Sequence, residues 1–324
     1  MITLQKNPNK DFKLLNLADI QLSVNEWQNE KAIKLLKDTL NELIFSEKPD
    51  LITLSGDQSY GGQYEAYENL FNLLDGYKIP YATVWGNHDN QGGAEAIENT
   101  VKMLEKHKYA IYERGPAQIG NGNYPITIEE NGKPVFAVIM MDTHDRTPFI
   151  NSEGKEALGW GRMMEEQIDW LYGITDNLKE KGVENSAIIC HIPVYGFIKA
   201  FDAAFNKEYN PPDISISESF DEKYWNDGFK GLCFGLRYEG ECPYPVEENM
   251  LQRISGMGII RHIIVGHDHA NCWSVPYMGV RLSYGLKTGR GCYWNENLNG
   301  GSVLEIHSNG SSDFRHHFIK PSVI

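Results

Sequence analysis

The chain has 324 residues, of which 41% are hydrophobic and 23% charged, enough to bury a full core and ordinary for a globular protein. Lysine and arginine total 30 against 44 for aspartate and glutamate, so the formal net charge is −14, which argues against nucleic acid as a partner and against an anionic membrane surface. An anionic substrate would have to be held by local charge, which bound metal ions could supply.

The five cysteines are odd in number and form no C-x-x-C pair, which argues against a disulfide framework and against a structural zinc site. The first residues lack the apolar core of a signal peptide, and the longest clean apolar run, residues 135–141, is too short to cross a bilayer. A cytoplasmic protein with no membrane partner is expected.

Residues 12–17 read as a strand, with Asp19-Ile20-Gln21 at its end; residues two apart in extended chain point the same way, so Asp19 and Gln21 can face one site. Leu, Ile, Lys and Glu at helical spacing predict a helix over 27–45, broken by Pro49-Asp50. A strand over 51–55 then feeds Gly56-Asp57-Gln58-Ser59-Tyr60, and a helix is expected over 64–74. The strand 79–84 stops at Gly86-Asn87-His88-Asp89 before a third helix over 94–107. This alternation predicts a mainly parallel first half.

From residue 124 the pattern changes. Asn131-Gly132 between the β runs 125–128 and 134–140 is a hairpin signal, and Asp142-Thr143-His144-Asp145 closes the second strand. An amphipathic helix over 165–181 leads to a buried strand, 186–190, that ends at His191. Residues 196–246 are rich in aromatics and prolines with little periodicity; they read as a long loop over the site whose aromatics mostly pack on one another. A helix over 247–254 and a strand over 261–265 present Gly266-His267-Asp268-His269, and the remainder, including 301–307 and 314–319, reads as antiparallel strands. The polar motifs run from residue 19 to residue 269, so one domain is expected over 1–324, with a loop-rich insertion at about 196–246.

Five apolar runs thus stop at carboxylates, an amide or imidazoles: at Asp19, at Gly56-Asp57, at Gly86-Asn87-His88-Asp89, at His191 and at Gly266-His267-Asp268-His269. One such stretch could be a turn whose side chains bond only their own backbone. Five of them point to a metal site assembled at strand ends, where open α/β sheets keep their chemistry. Oxygen and imidazole donors without thiolates suit zinc, manganese or iron. Lone histidines elsewhere (His107, His262, His307, His316, His317) are taken as structural.

The order of these blocks resembles that of the calcineurin-like metallophosphoesterases: D-x-H, G-D, G-N-H-D, a lone histidine after a strand, and G-H-x-H. Four of the five blocks match in full. The resemblance implies a four-layer αββα sandwich of two mixed sheets flanked by helices, and hydrolysis of a phosphate ester by a metal-bound hydroxide at a dinuclear centre. Carried over, it makes Asp57 the carboxylate shared by both ions, with Asp19 and His269 on the first and Asn87, His191 and His267 on the second. His88 would serve the leaving-group oxygen, with Asp89 fixing its ring, and Asp268 would support the ligands.

The departure is Gln21, where the family pattern has histidine. The G-D-x-x-Y spacing of Asp57 and Tyr60 is similar to the purple acid phosphatase branch, which also lacks that histidine and uses the tyrosine as a phenolate ligand. On this likeness Tyr60, with a phenol pKa of about 10 in water, completes the first site and Gln21 only hydrogen-bonds near it. Phosphomonoesters are the expected substrates. The alternatives are a phosphodiesterase acting on a nucleotide or lipid headgroup, and a non-catalytic metal-binding or interaction protein whose first site is degraded at Gln21.

Overall fold

A computed structural model describes residues 2–209 and 222–319. After an edge strand, β1 (Ile2–Gln5), the first half alternates strands and helices. Strand β2 (Phe12–Leu17) is followed by the short helix α1 (Val24–Trp27) and by α2 (Glu30–Glu47). Then come β3 (Leu51–Ser55), α3 (Tyr64–Tyr77), β4 (Tyr81–Val84), α4 (Gly93–Leu104) and the short β5 (Ala110–Ile111). The helix expected over 27–45 is α2, which starts three residues later because the short α1 ends at Trp27. Ser23 and Glu26 form a capping box on α1, and Asn29 starts α2 by accepting from the backbone N–H of Lys31 and Ala32.

The expected hairpin is β6 (Tyr124–Glu130) and β7 (Lys133–Met140), turned by Asn131 and Gly132, both at positive φ (53° and 76°), as such a two-residue turn requires. A second hairpin, β8 (Arg146–Ile150) with β9 (Glu156–Trp160), carries no strong sequence signal. The chain continues through α5 (Glu165–Glu180), β10 (Ser186–Ile189), α6 (Gly196–Ala204), α7 (Met250–Gly256), β11 (Ile260–Val265), β12 (Ser274–Tyr277), β13 (Val280–Tyr284), β14 (Gly300–Ile306) and β15 (Ser312–Phe318).

Two large sheets result. One has the order β15-β14-β2-β3-β4-β5 and the other β1-β6-β7-β10-β11-β13-β12, and both mix parallel and antiparallel pairs. The C-terminal β14 and β15 are antiparallel as expected, whereas β13 lies parallel to β11. Alternate residues of each strand go to opposite layers. Leu15, Ile52 and Leu54 pack on Leu40 and Leu43 of α2 and Leu70 and Phe71 of α3. Leu14 and Leu51 meet Val138, Met140, Ala187, Ile189 and Ile264 of the other sheet. The far faces of those strands, Ala137, Ile139, Ile188 and Ile263, pack on Ile168 and Leu171 of α5 and Ile254 of α7. This is helix, sheet, sheet, helix, and it explains why these strands read as continuous apolar runs: both faces are covered.

The stretch 196–246 departs from its reading as a loop at its start and in where its aromatics pack. It opens with α6, and Phe197, Phe201, Tyr224 and Trp225 join Trp273 and Tyr284 in the core beneath the seven-stranded sheet. These aromatics belong to the main core, because α6 lays Phe197 and Phe201, four residues apart, on one face. Residues 210–221 of this stretch lie outside the described residues. Among the described residues no helix is long and apolar enough to cross a membrane.

Candidate metal centre

Strands β2, β3 and β4 run parallel in one sheet and β10 and β11 in the other, and all five end at the same place. There the chain leaves extended geometry abruptly: Asp19, Gln21, Asp57 and His267 all hold positive φ (50°, 52°, 51° and 76°), a region that costs non-glycine residues energy. Four such residues in one cluster mark a place where the fold spends stability on geometry.

Asp19, Asp57 and His191 are buried and offer ligand atoms that all lie within 4.8 Å of one another. Around this trio, His269 Nε2 is 3.4 Å from Asp19 Oδ1, and His191 Nε2 is 3.1 Å from Asn87 Oδ1 and 3.3 Å from Asp57 Oδ2. The His267 ring lies edge-on to His191 at 5.2 Å, and its backbone N–H donates to Asp19. Six of the residues singled out in the sequence as metal ligands therefore converge.

The motif glycines make this approach possible. A Cβ on Gly56 would stand 2.4 Å from the His191 ring, and one on Gly86 would stand 2.1 Å from Asp57 Oδ1. Each glycine clears room for a candidate ligand delivered by a different strand.

The tautomers fit a cation. His191 Nδ1 faces the Ser55 carbonyl at 2.9 Å and His269 Nδ1 faces the Tyr293 carbonyl at 2.9 Å. A carbonyl only accepts, so both Nδ1 atoms carry the proton and both Nε2 lone pairs point at oxygens that also carry lone pairs. Such an arrangement is repulsive unless a proton or a metal lies between. Burial disfavours a charged His191, but the carboxylates of Asp57 and Asp19 outweigh it and lift its pKa to about 10. Burial, with His191 beside it, drives His267 the other way, to about 3, a neutral ring ready to ligate. The donor set of two carboxylates, an amide oxygen and three imidazoles suits borderline metals.

Asp89 corrects the role expected for it. Its Oδ1 accepts from the backbone N–H of Gln58 (3.0 Å) and Ser59 (3.1 Å) and from the Tyr67 hydroxyl (2.7 Å), and its Oδ2 from the N–H of Gly86 (2.8 Å). It thus ties two ligand loops together and does not hold the His88 ring, whose Nδ1 is buried without a partner. Burial and the neighbouring Asp57 push the Asp89 carboxyl up to about 7 despite these donors. The His88 N–H donates to Asp57 Oδ1 at 2.8 Å, and the His88 ring is stacked on Tyr60, centroids 4.8 Å apart. Tyr60 itself is 44% exposed, unlike the buried donors.

Gln21 points its Nε2 at Asp57 Oδ2, 2.9 Å away. Behind it is a residue the sequence reading missed: Lys287, buried, whose ammonium donates to Gln21 Oε1 (3.0 Å) and to the Asp19 carbonyl (2.9 Å). It follows β13, where Arg281 and Ser283 alternate with apolar residues, so no continuous apolar run pointed to it. Asp268 Oδ2 accepts from the Tyr284 hydroxyl (2.6 Å) and the Cys242 N–H (3.1 Å), so it anchors the loop that bears His267 and His269. Trp160, on the unforeseen hairpin, sets its ring edge-on to His267 at 4.5 Å. His144 pairs with Gln167 and Asp142 beside the centre.

The sequence model of the calcineurin-like phosphoesterases matches residues 12–271. A probable inactive purple acid phosphatase (number 28) of Arabidopsis thaliana is 25% identical over 91% of this chain and 77% of its own length. A probable cyclic nucleotide phosphodiesterase of Moraxella catarrhalis is 37% identical over 50% of this chain and 52% of its own. Among solved structures, a dimetal phosphatase from Danio rerio superposes with a TM-score of 0.60 at 14% identity, covering 96% of this chain and 98% of that one, which establishes likeness of fold.

Proposed function

The chain belongs to the calcineurin-like phosphoesterase family, and from that premise we propose that it hydrolyses phosphate esters, phosphomonoesters in preference, at a centre of two metal ions drawn from iron, zinc and manganese. The observation that carries this reading is the pair of buried carboxylates, Asp19 and Asp57, faced by the Nε2 lone pairs of His191 and His269.

Asp19, Asp57 and His269 would hold the first ion, and Asp57, Asn87, His191 and His267 the second. Tyr60 is proposed as a fourth donor to the first ion; it hangs from the same turn as Asp57, and ligation would draw its phenol away from the stack on His88. When bound, the ions supply positive charge for the phosphoryl oxygens and acidify a water. The chain's own residues do the rest. Asp89 keeps the Asp57 and Asn87 loops in register through its four donors. His88, held from its backbone by Asp57, is proposed to give a proton to the departing alcohol oxygen.

The test is turnover of an aryl phosphomonoester and of its bis-ester by protein reconstituted with each metal. His88→Ala is expected to lower kcat by roughly 10²- to 10⁴-fold with metal content unchanged, whereas Asp57→Asn should lose metal. Equal rates for wild type and His88→Ala would remove His88 from the mechanism.

A second reading is favoured by one observation: Lys287 brings an ammonium to the Asp19 and Gln21 end of the centre. In that reading the chain binds a single ion and does not turn over, in keeping with relatives named as probable inactive phosphatases. One metal per chain after reconstitution, with no hydrolysis of either ester, would establish it.

A further inference from the structure

The hairpin of β8 and β9 stands beside the metal centre and belongs to none of the motifs. Arg146 and Trp160 are directly opposite in its register, so their side chains leave the same face. The Arg146 guanidinium carbon lies over the Trp160 ring, 3.6 Å from its centroid, and the same ring meets the imidazole of His267. Trp160 thus touches the guanidinium and a candidate ligand at once.

The hairpin is braced from behind. The Tyr244 hydroxyl donates to the Pro148 carbonyl at 3.1 Å, Tyr244 meets Phe149 edge-on, and Pro245 sits so close to Gly159 that a Cβ there would come within 2.6 Å. The Asp145 carbonyl accepts from the Gly161 N–H at 2.8 Å and closes the base. Arg146 is therefore presented by a held backbone and a stacked ring, which lowers the entropy lost when its donors are used.

Those donors are available. The ionic neighbour of Arg146 among the described residues, Asp145, lies 3.8 Å from Nε, beyond hydrogen-bond range, and the Arg146 side chain is 41% exposed. In a chain of net charge −14 the mean field repels an approaching anion, so a guanidinium one ring away from His267 supplies a local attraction.

We propose that Arg146, stacked on Trp160, binds the non-bridging oxygens of the substrate's phosphoryl group and selects phosphomonoester dianions over diester monoanions. The proposal rests on the phosphoesterase reading for its substrate, but the binding step can be tested without turnover. A planar fork of N–H donors matches two oxygens of a phosphate, and a dianion gains more from it than a monoanion does.

The experiment uses the metal-reconstituted protein as wild type, Arg146→Ala and Arg146→Lys, each with its metal content measured. Inorganic phosphate is titrated by calorimetry, and kcat/KM is measured for p-nitrophenyl phosphate and bis(p-nitrophenyl) phosphate. Arg146→Ala should weaken phosphate binding roughly 10- to 100-fold and lower kcat/KM for the monoester to a similar extent, with the diester changed by less than about 3-fold; Arg146→Lys should fall between. The proposal is overturned if Arg146→Ala binds phosphate as wild type does, if the two esters lose rate equally, or if the loaded wild type binds no phosphate. Phosphate binding that depends on Arg146 in a protein that hydrolyses neither ester would uphold the anion site and reject the catalytic reading instead.

Discussion

Lys287 fixes the direction of the Gln21 amide. Its Nζ donates to Gln21 Oε1 at 3.0 Å, and because an ammonium can only donate, the amide nitrogen is left facing Asp57 Oδ2 at 2.9 Å. Gln21 therefore acts on Asp57 as a hydrogen-bond donor, and it cannot turn its oxygen to a metal while Lys287 holds it.

Replacing the lysine should change the metal site before it changes the fold. In Lys287→Met the Asp19 carbonyl and the Gln21 oxygen lose their donor, at a cost of about 1–3 kcal/mol to the metal-free protein, and the carboxylates lose a nearby cation. Metal affinity at the Asp19 end is expected to rise, read by chelator competition. Unchanged or weaker binding would show that Lys287 does not offset the charge of that site.

Metal binding should release protons. Without metal, His191 holds its second proton to about pH 10, because Asp57 and Asp19 outweigh the burial that disfavours it. A metal takes the neutral ring, so affinity should rise with pH below that value, by about tenfold per unit for each proton displaced. Calorimetry in two buffers of different ionisation enthalpy counts the protons. A count of zero would contradict this competition.

Asp89→Asn separates the loop-tying role from a catalytic one. An amide has one accepting oxygen where the carboxylate serves four donors, so about 1–3 kcal/mol of stability is expected to go for each donor left unpaired. Denaturant unfolding measures this loss. If stability is unchanged while turnover collapses, Asp89 has a chemical task that its hydrogen bonds do not reveal.

Tyr60→Phe tests the phenolate assignment. Two metals including iron, with a broad visible band that vanishes in the variant, would place Tyr60 on a ferric ion. A full metal complement and an unaltered spectrum would leave Tyr60 as the ring stacked on His88 and nothing more.

At the remote end of the six-stranded sheet, Glu47 accepts from both terminal nitrogens of Arg315 (2.8 and 2.5 Å) and meets His317 Nδ1 at 2.6 Å. Burial alone would raise its pKa, but Arg315 and His317 bring it down to about 2. A carboxyl depressed in the folded state contributes stability above its unfolded pKa, about 4.3, and loses it as pH falls towards 2. The destabilisation caused by Glu47→Gln should therefore be full at pH 7 and shrink below about pH 4. A difference independent of pH would mean that packing, not charge, accounts for it.

The sequence by itself was enough to single out six side chains that converge, because each follows an apolar run long enough to read as a strand, and a strand buried on both faces can present polar side chains only at its ends. It also sufficed for the α/β class, since the Asn131-Gly132 turn and the alternation of strands and helices are local signals, whereas the two-sheet sandwich was implied only by the family resemblance. The tertiary structure decided what local signals cannot carry. Asp89 follows His88 in sequence yet bonds Gln58, Ser59, Tyr67 and Gly86, and Lys287 reaches Gln21 from 266 positions away. The aromatics near 197 and 225 join the main core because α6 turns them onto it, and Arg146 meets Trp160 because a hairpin with weak strand character sets them opposite. A residue's type and its neighbours along the chain limit which bonds it can make; which one it makes depends on what the folded chain brings within about 3 Å of it.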